Sequence, residues 1–118
     1  MEFVAYVGTD KENWGQITAL INRLEAERCI LIVSKNAEGF PANERCDIIE
    51  IDSDKPLAQL KEDLLKKLRD RLSGDFEVAL SLASGNGKEH MALLSALLNV
   101  PVGVKIVVYT KEGIQFLS

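Results

Sequence analysis

The sequence predicts an α/β fold with a Rossmann-like, three-layer arrangement: a mostly parallel sheet of about six strands that ends in an antiparallel hairpin. Short, nearly unbroken apolar runs alternate with longer segments in which apolar residues recur every three or four positions. The 118 residues are 47% hydrophobic, which is enough for one core. No repeat or linker divides the chain, so we expect residues 1–118 to form a single domain.

The first strand and the first helix are predicted near the N-terminus. Residues 3–7 form an apolar run rich in β-formers, as in a strand covered on both faces, and the run ends at Gly8 and Thr9. Helical spacing follows, with one apolar stripe made of Trp14, Ile17, Leu20, Ile21 and Leu24. Asp10 or Asn13 is expected to cap this helix.

The second and third strands are predicted on either side of a loop. Residues 29–33 form a second buried-strand run, and residues 47–51 form a third. The stretch between them, residues 34–43, is polar and contains Gly39 and Pro41, which is typical of a loop.

The clearest amphipathic helix follows the third strand. Ser53 and Asp54 are cap candidates, and Pro56 is an early proline of the kind that opens helices. Leucines then repeat at helical spacing, at positions 57, 60, 64, 65, 68 and 72, with charged residues on the opposite side. Gly74 is expected to end the helix.

The C-terminal part completes the alternating order. Residues 76–82 predict a fourth strand, residues 88–99 a third helix and residues 104–109 a fifth strand. After a turn at residues 111–113, residues 114–117 predict a sixth strand in an antiparallel hairpin with the fifth.

The predicted helix 88–99 is apolar nearly all round, which exceeds what one face against a sheet requires. Its outer face needs a cover, and in a short chain the simplest cover is the same helix of a second subunit. The sequence therefore predicts a homodimer through this helix, with burial inside the monomer as the alternative.

Composition and charge argue against several classes of protein. With 14 Lys plus Arg against 18 Asp plus Glu, the net charge of -4 gives no reason to expect duplex nucleic acid as a partner. No apolar stretch approaches the roughly 18 to 20 residues of a membrane span, and the start lacks the basic flank of a signal peptide. We therefore expect no membrane partner and a cytoplasmic location.

The cysteines and the histidine give little support for metal or redox chemistry. Cys29 and Cys46 lie beside apolar runs and form no Cys-x-x-Cys pair, so we expect them to be buried and reduced, with a disulfide as the less favoured alternative. His90 is the sole histidine, so a histidine cluster for a metal has no support. We expect no metal and no cofactor.

Two loops are predicted at the sheet edge where the carboxyl ends of parallel strands meet, which is where ligands bind in such folds. One is Gly8-Thr9-Asp10 after the first strand, and the other is residues 84–90 after the fourth. The second loop has two glycines, two hydrogen-bonding side chains and a cation, and the amides around the glycines are expected to open toward solvent, where they can approach an anion. These residues are Ser84, Gly85, Asn86, Gly87 and Lys88. The alternative is that the glycines only permit a sharp turn from strand to helix.

The second loop matches neither common nucleotide-binding motif. Leu82 and Glu89 stand where a Walker A loop needs Gly and then Ser or Thr. His90 stands where a dinucleotide fingerprint needs its third Gly, so neither a kinase nor a dehydrogenase is expected. Lys88 and His90 are the candidates for catalysis, although a lone histidine is more often a surface or packing residue.

The strand and loop of residues 78–88, followed by a small and apolar helix, resemble the signature of CARF domains, the CRISPR-associated Rossmann-fold sensors. The family pattern is a strand that ends in Ser or Thr, then Gly, a variable residue and Lys. Ser84, Gly85 and Lys88 match it, with one extra residue between the glycine and the lysine. The loop after the first strand also resembles the first ligand loop of that family.

The resemblance implies a homodimer that binds a cyclic oligoadenylate or related nucleotide where the two signature loops meet across the two-fold axis. Lys88 would contact phosphate, and Ser84, Asn86 and Thr9 would donate hydrogen bonds. Some members of that family cleave the ring without metal, and His90 would then be an auxiliary group. Two alternatives stay open: a metal-independent phosphodiesterase acting on such a ligand, and a protein-interaction module without a ligand.

Overall fold

The computed structural model describes residues 1–72 and 77–118, so the predicted helix end at Gly74 and the predicted strand start at residue 76 lie outside the described residues. The elements follow the predicted order: β1 (Glu2–Val7), α1 (Trp14–Arg23), β2 (Arg28–Ser34), β3 (Cys46–Ile51), α2 (Leu57–Arg69), β4 (Glu77–Ser81), α3 (Gly87–Leu98), β5 (Gly103–Thr110) and β6 (Gly113–Phe116). A short 3₁₀ turn, Lys11–Asn13, precedes α1.

Within the described residues, six strands form one sheet in the order β3-β2-β1-β4-β5-β6. Strands β1 to β5 pair in parallel, and β6 pairs antiparallel with β5. β1 is central and all of its residues are buried, which explains why most of its sequence is an unbroken apolar run. The predicted Rossmann-like α/β fold, with its mostly parallel sheet and C-terminal hairpin, is confirmed.

Alternate residues of β1 face the two helical layers. Phe3, Ala5 and Val7 share a core cluster with the buried residues of α1 on one face of the sheet. Val4 and Tyr6 share a second cluster with the buried residues of α2 and α3 on the other face. The sheet is therefore the middle of three layers.

The predicted loop between β2 and β3 is confirmed, because residues 35–45 contain no helix. Phe40 lies in this loop and packs edge-on against Trp14, with 5.3 Å between the ring centroids. The loop thus covers part of the face on which α1 lies.

The helix starts differ from the predicted ones. Asn13 Nδ2 donates to Asp10 Oδ2 at 2.7 Å, and neither side chain caps α1. Asp10 does not cap the helix because its carboxylate is bound by the loop after β4, which is distant in the sequence. The N-cap position of α2 is taken by Pro56, which makes no side-chain cap bond, so the predicted cap candidates Ser53 and Asp54 lie before the cap.

Both cysteines are free thiols. Cys29 is buried as predicted, but the prediction for Cys46 is wrong in part, because that residue is only half-buried. The difference arises because Cys46 begins β3, which is an edge strand of the sheet formed by the described residues.

α3 packs one side against α2 and the sheet and leaves a stripe of its outer side uncovered. Ala92, Leu93, Ala96 and Leu97 are buried. Met91 and Leu98 are exposed over 57% and 72% of their surface. Among the described helices, none combines the length and the apolar character needed to cross a membrane.

Candidate functional site

The loops after β1, β2, β3 and β4 meet at the carboxyl edge of the sheet and enclose a polar cleft of about 280 Å³, here called the rim cleft. It is lined by Thr9, Asp10, Asn36, Ser53, Asp54, Gly85, Asn86 and Glu89. The cleft lies beside the boundary between β1 and β4, where the strand order reverses. In open parallel sheets this reversal separates two neighbouring loops and leaves a crevice between them.

The loops after β1 and β4 are locked together by three hydrogen bonds. The Gly8 amide donates to Ser84 Oγ at 2.9 Å, and the Ser84 hydroxyl donates to Asp10 Oδ1 at 2.6 Å. The Gly85 amide donates to the same Asp10 oxygen at 3.0 Å. A Cβ atom on Gly8 would lie 2.8 Å from the Cα of Gly85, so only glycine permits this approach.

The Asp10 carboxylate is stabilised in its charged form. Burial on its own raises the pKa of Asp10, but the hydrogen bonds from Ser84, Asn13 and the Gly85 amide outweigh burial and hold the pKa below its ordinary value. The pair of donors formed by the Ser84 hydroxyl and the Gly85 amide therefore binds an anion in this structure, and the anion belongs to the protein itself.

The turn from β4 into α3 depends on Gly85. Its φ is +99°, a region that side-chain-bearing residues rarely adopt. A Cβ atom there would lie 2.8 Å from Tyr6 Cδ1, 3.0 Å from Glu89 Oε1 and 3.2 Å from His90 Nε2. The backbone conformation and the crowded surroundings therefore both require glycine.

A reciprocal capping box fixes the start of α3. The Glu89 amide donates to Asn86 Oδ1 at 2.9 Å, and the Asn86 amide donates to Glu89 Oε1 at 2.9 Å. This is the Asn form of the box that is usually built from Ser or Thr and Glu. The cap holds Asn86 and Glu89 at the edge of the rim cleft.

Glu89 also belongs to a buried polar triad that the sequence analysis missed. Its Oε2 accepts from the Tyr6 hydroxyl and from the Ser34 hydroxyl, each at 3.0 Å, and those two hydroxyl oxygens are 2.7 Å apart. Burial, and then the charge of Glu89, raise the pKa of Tyr6 far above its ordinary value, although its bond to Ser34 acts the other way. Tyr6 therefore stays protonated and acts as a donor to the carboxylate.

The amides of the loop after β4 were expected to face solvent, but they do not. The Gly85 amide is taken by Asp10, and the Asn86 amide is taken by Glu89. The physical reason is that two nearby carboxylates satisfy donors that the sharp turn would otherwise leave without partners.

The two catalytic candidates are bound to backbone carbonyls. The Lys88 ammonium donates to the Ser53 carbonyl oxygen at 2.9 Å, which ties α3 to the turn between β3 and α2. His90 Nε2 is 2.6 Å from the Ser84 carbonyl oxygen. Neither side chain lines the rim cleft, although the Lys88 ammonium is bound to Ser53, which does.

The structure brings half of the eight predicted ligand residues to the lining of the rim cleft. Four of them, Thr9, Asp10, Gly85 and Asn86, line the rim cleft. Gly8 and Ser84 are buried behind it, and Gly87 is exposed at the first position of α3. Within residues 1–72 and 77–118, no group of three His, Cys, Asp or Glu side chains is placed to hold a metal ion.

The fold and the site define a Rossmann-like α/β domain with a polar cleft at the carboxyl edge of its sheet. Comparison with protein-family models and with curated proteins finds no match for the chain. The resemblance to CARF domains therefore stays a prediction.

Proposed function

We propose that this protein is a ligand-binding sensor domain that holds a cyclic oligoadenylate, or a related phosphate-bearing nucleotide, at the rim cleft. One observation carries the proposal: the Ser84 hydroxyl and the Gly85 amide already hold an anion, the carboxylate of Asp10. A phosphate oxygen is an acceptor of the same kind as a carboxylate oxygen. The two donors are therefore suited to a phosphate group of the ligand.

In the proposed complex the phosphate replaces the Asp10 carboxylate. Asp10 lies on the loop after β1 and is only partly buried, so its side chain can turn away without opening the core. The rim cleft also carries the carboxylates of Asp54 and Glu89, which repel a phosphate. Lys88 does not line the cleft, but its ammonium is bound to the carbonyl oxygen of the lining residue Ser53, and in the proposed complex it turns toward the phosphate as the compensating cation.

The proposal includes a homodimer formed through α3. Its support is the uncovered apolar stripe of that helix, together with a groove between α2 and α3 lined by Leu57, Ala58, Lys61, Met91, Ser95 and Asn99. A two-fold axis would place the stripe of one subunit against the stripe of the other and bury both. The apolar side chains of both stripes would then be buried away from water.

Cleavage of the ligand has less support than binding. Both catalytic candidates, Lys88 and His90, are bound to backbone carbonyls. A general base needs to reach the proton of a nucleophile, and among the described residues no hydrogen bond joins either side chain to a hydroxyl or a thiol. Binding without turnover is therefore the function that the geometry supports best.

Isothermal titration with cyclic tri-, tetra- and hexa-adenylate tests the proposal. We expect saturable binding of at least one ring, and stabilisation against unfolding of about 2.7 kcal/mol at a hundredfold excess over Kd. Linear oligoadenylates of the same lengths are the control for non-specific attraction of phosphates. If no ring produces heat or stabilisation, the proposal is wrong, and the protein-interaction alternative becomes the better explanation.

Two substitutions locate the ligand. Asp10→Asn removes the competing charge, so binding should become tighter, by about tenfold if 1.4 kcal/mol of competition is relieved. Lys88→Gln should weaken binding by about tenfold or more, because a hydrogen bond to a charged group contributes about 1.5–3 kcal/mol. Lys66→Gln, which removes the same charge from the exposed side of α2, is the matched control and should leave binding unchanged. Weaker binding by Asp10→Asn would show that the ligand uses that carboxylate and does not replace it.

A further inference from the structure

Cys29 and Cys46 face each other across two neighbouring parallel strands at the outer edge of the sheet. Cys29 is paired with Cys46 in the register of β2 and β3, and the Cys46 thiol lies 3.5 Å from the Cys29 sulfur. Neighbouring strands are about 4.8 Å apart, and disulfides span Cα separations of about 4.4–6.8 Å. The backbone therefore already holds the two cysteines at bridging distance, and only the side chains need to turn.

We propose that Cys29 and Cys46 are a modification site: a dithiol that closes to a reversible disulfide when the protein meets a small-molecule disulfide. The two thiols differ in access. Cys46 begins the outer strand and is half-buried, so the oxidant reaches it directly. Cys29 is only 4% exposed and is reached through its neighbour.

The reaction proceeds in two exchanges. The Cys46 thiolate attacks one sulfur of the oxidant, which forms a mixed disulfide and releases one thiolate. The Cys29 thiol then loses its proton to solvent and attacks the Cys46 sulfur, which forms the bond between the cysteines and expels the second thiolate. Two electrons pass to the oxidant, and its two sulfurs take up the two protons. Burial, and then the adjacent Cys46, raise the pKa of the Cys29 thiol, so the second exchange is the slower one.

The bond would close residues 29–46 into a covalent ring. That ring contains the loop between β2 and β3, which carries Asn36 of the rim cleft. It would also link β3, an edge strand of the described sheet, covalently to β2. Because a disulfide restricts the unfolded chain more than the folded one, the oxidised protein should unfold at a higher temperature.

The test is a titration of the folded wild-type protein with mixtures of oxidised and reduced glutathione, followed by acid quenching and intact-mass measurement. We expect a species with the mass of one chain less two hydrogen atoms and with no free thiol. Its digest should contain the Cys29 peptide joined to the Cys46 peptide. Excess reduced glutathione should restore both thiols. The unfolding temperature should rise on oxidation and return on reduction.

Single variants separate the two steps. Cys29→Ala should stop at a stable glutathione adduct on Cys46, because the second thiol is missing. Cys46→Ser should remain unmodified while folded, because Cys29 is buried, and its circular dichroism spectrum confirms that it is folded. Wild-type protein that accumulates the glutathione adduct without closing the bond, or that bridges only between two chains, would overturn the proposal.

Discussion

Gly85 is the residue at which an unusual backbone conformation and close packing coincide. Its φ is +99°, and an added Cβ would lie 2.8 Å from the Tyr6 ring. Gly85→Ala should lower the free energy of unfolding by about 1–2 kcal/mol for the left-handed conformation and by about 1–3 kcal/mol more for the crowding. Urea unfolding monitored by circular dichroism measures the sum.

The matched control is Gly39→Ala. Gly39 also has a positive φ, of +88°, but an added Cβ would have no neighbour within 4 Å. This variant should therefore lose only the first contribution, about 1–2 kcal/mol. Equal losses in the two variants would mean that the surroundings of Gly85 relax around the new methyl group.

Asp10 makes the stability of the protein depend on pH in the acid range. Its pKa is lowered in the folded state, so its carboxylate stabilises the fold above the pKa of an unfolded aspartate, about 3.9. That stabilisation is lost as the pH falls through the lowered pKa of the folded state. Asp10→Asn should therefore be less stable than wild type at pH 7, and the difference should shrink below about pH 4. Urea unfolding at a series of pH values measures it, and a difference that stays constant with pH would contradict the assignment.

The sequence reveals single residues of the site where the signal is local. Glycines and polar residues directly after an apolar run predicted the loops that hold Gly8 and Gly85. The buried triad was missed because its contacts join residues that are 28, 55 and 83 positions apart. One local signal for it did exist, since Asn86 and Glu89 have the spacing of a capping box.

At the scale of an element, α3 depends on its cap. Asn86→Ala removes the side chain that accepts from the Glu89 amide, and should lower the free energy of unfolding by about 0.5–2 kcal/mol. Asn99→Ala, at the exposed other end of the helix, removes a single bond from Asn99 Nδ2 to the Ser95 carbonyl oxygen, and should lower it by less, about 0.5 kcal/mol. Chemical denaturation of both variants measures the two values. A loss at Asn99 as large as the loss at Asn86 would contradict the importance of the box.

The existence of each element was predictable from its burial. A strand that is buried on both faces is uniformly apolar, and a helix that is buried on one face has apolar residues at helical spacing. The ends of the helices were less predictable. Asp10 has the chemistry of a cap, but its carboxylate is bound by Ser84 and Gly85, which lie more than seventy positions away. A tertiary contact thus overrides a local preference, and no window of sequence contains that information.

At the scale of the whole molecule, the strand order creates the rim cleft. Alternating strands and helices predict a parallel sheet, but only the pairing of β1 with both β2 and β4 brings Gly8 against Ser84. Right-handed crossovers then place α1 on one face and the other two helices on the opposite face. The location of the cleft was predictable from the class of fold, whereas the carboxylates that occupy its donors were not.

The prediction at the scale of the whole molecule concerns the proposed homodimer. Met91 and Leu98 are exposed over 57% and 72% of their surface and lie two turns apart on one side of α3. The double variant Met91→Glu, Leu98→Glu would place four charges in the two-fold interface, so it should weaken the dimer by about a hundredfold or more while each subunit stays folded. Leu117→Glu changes an equally exposed residue, 63% accessible, beyond β6 and should leave the dimer intact.

Sedimentation equilibrium over a range of concentrations distinguishes these outcomes. A wild-type protein that is monomeric throughout, or a double variant that dimerises as well as wild type, would show that α3 does not form the interface. If the ligand is shared across the two-fold axis, the double variant should lose cyclic oligoadenylate binding together with the dimer, because each rim cleft then lacks its partner. Binding that persists in the monomer would place the whole ligand site within one chain.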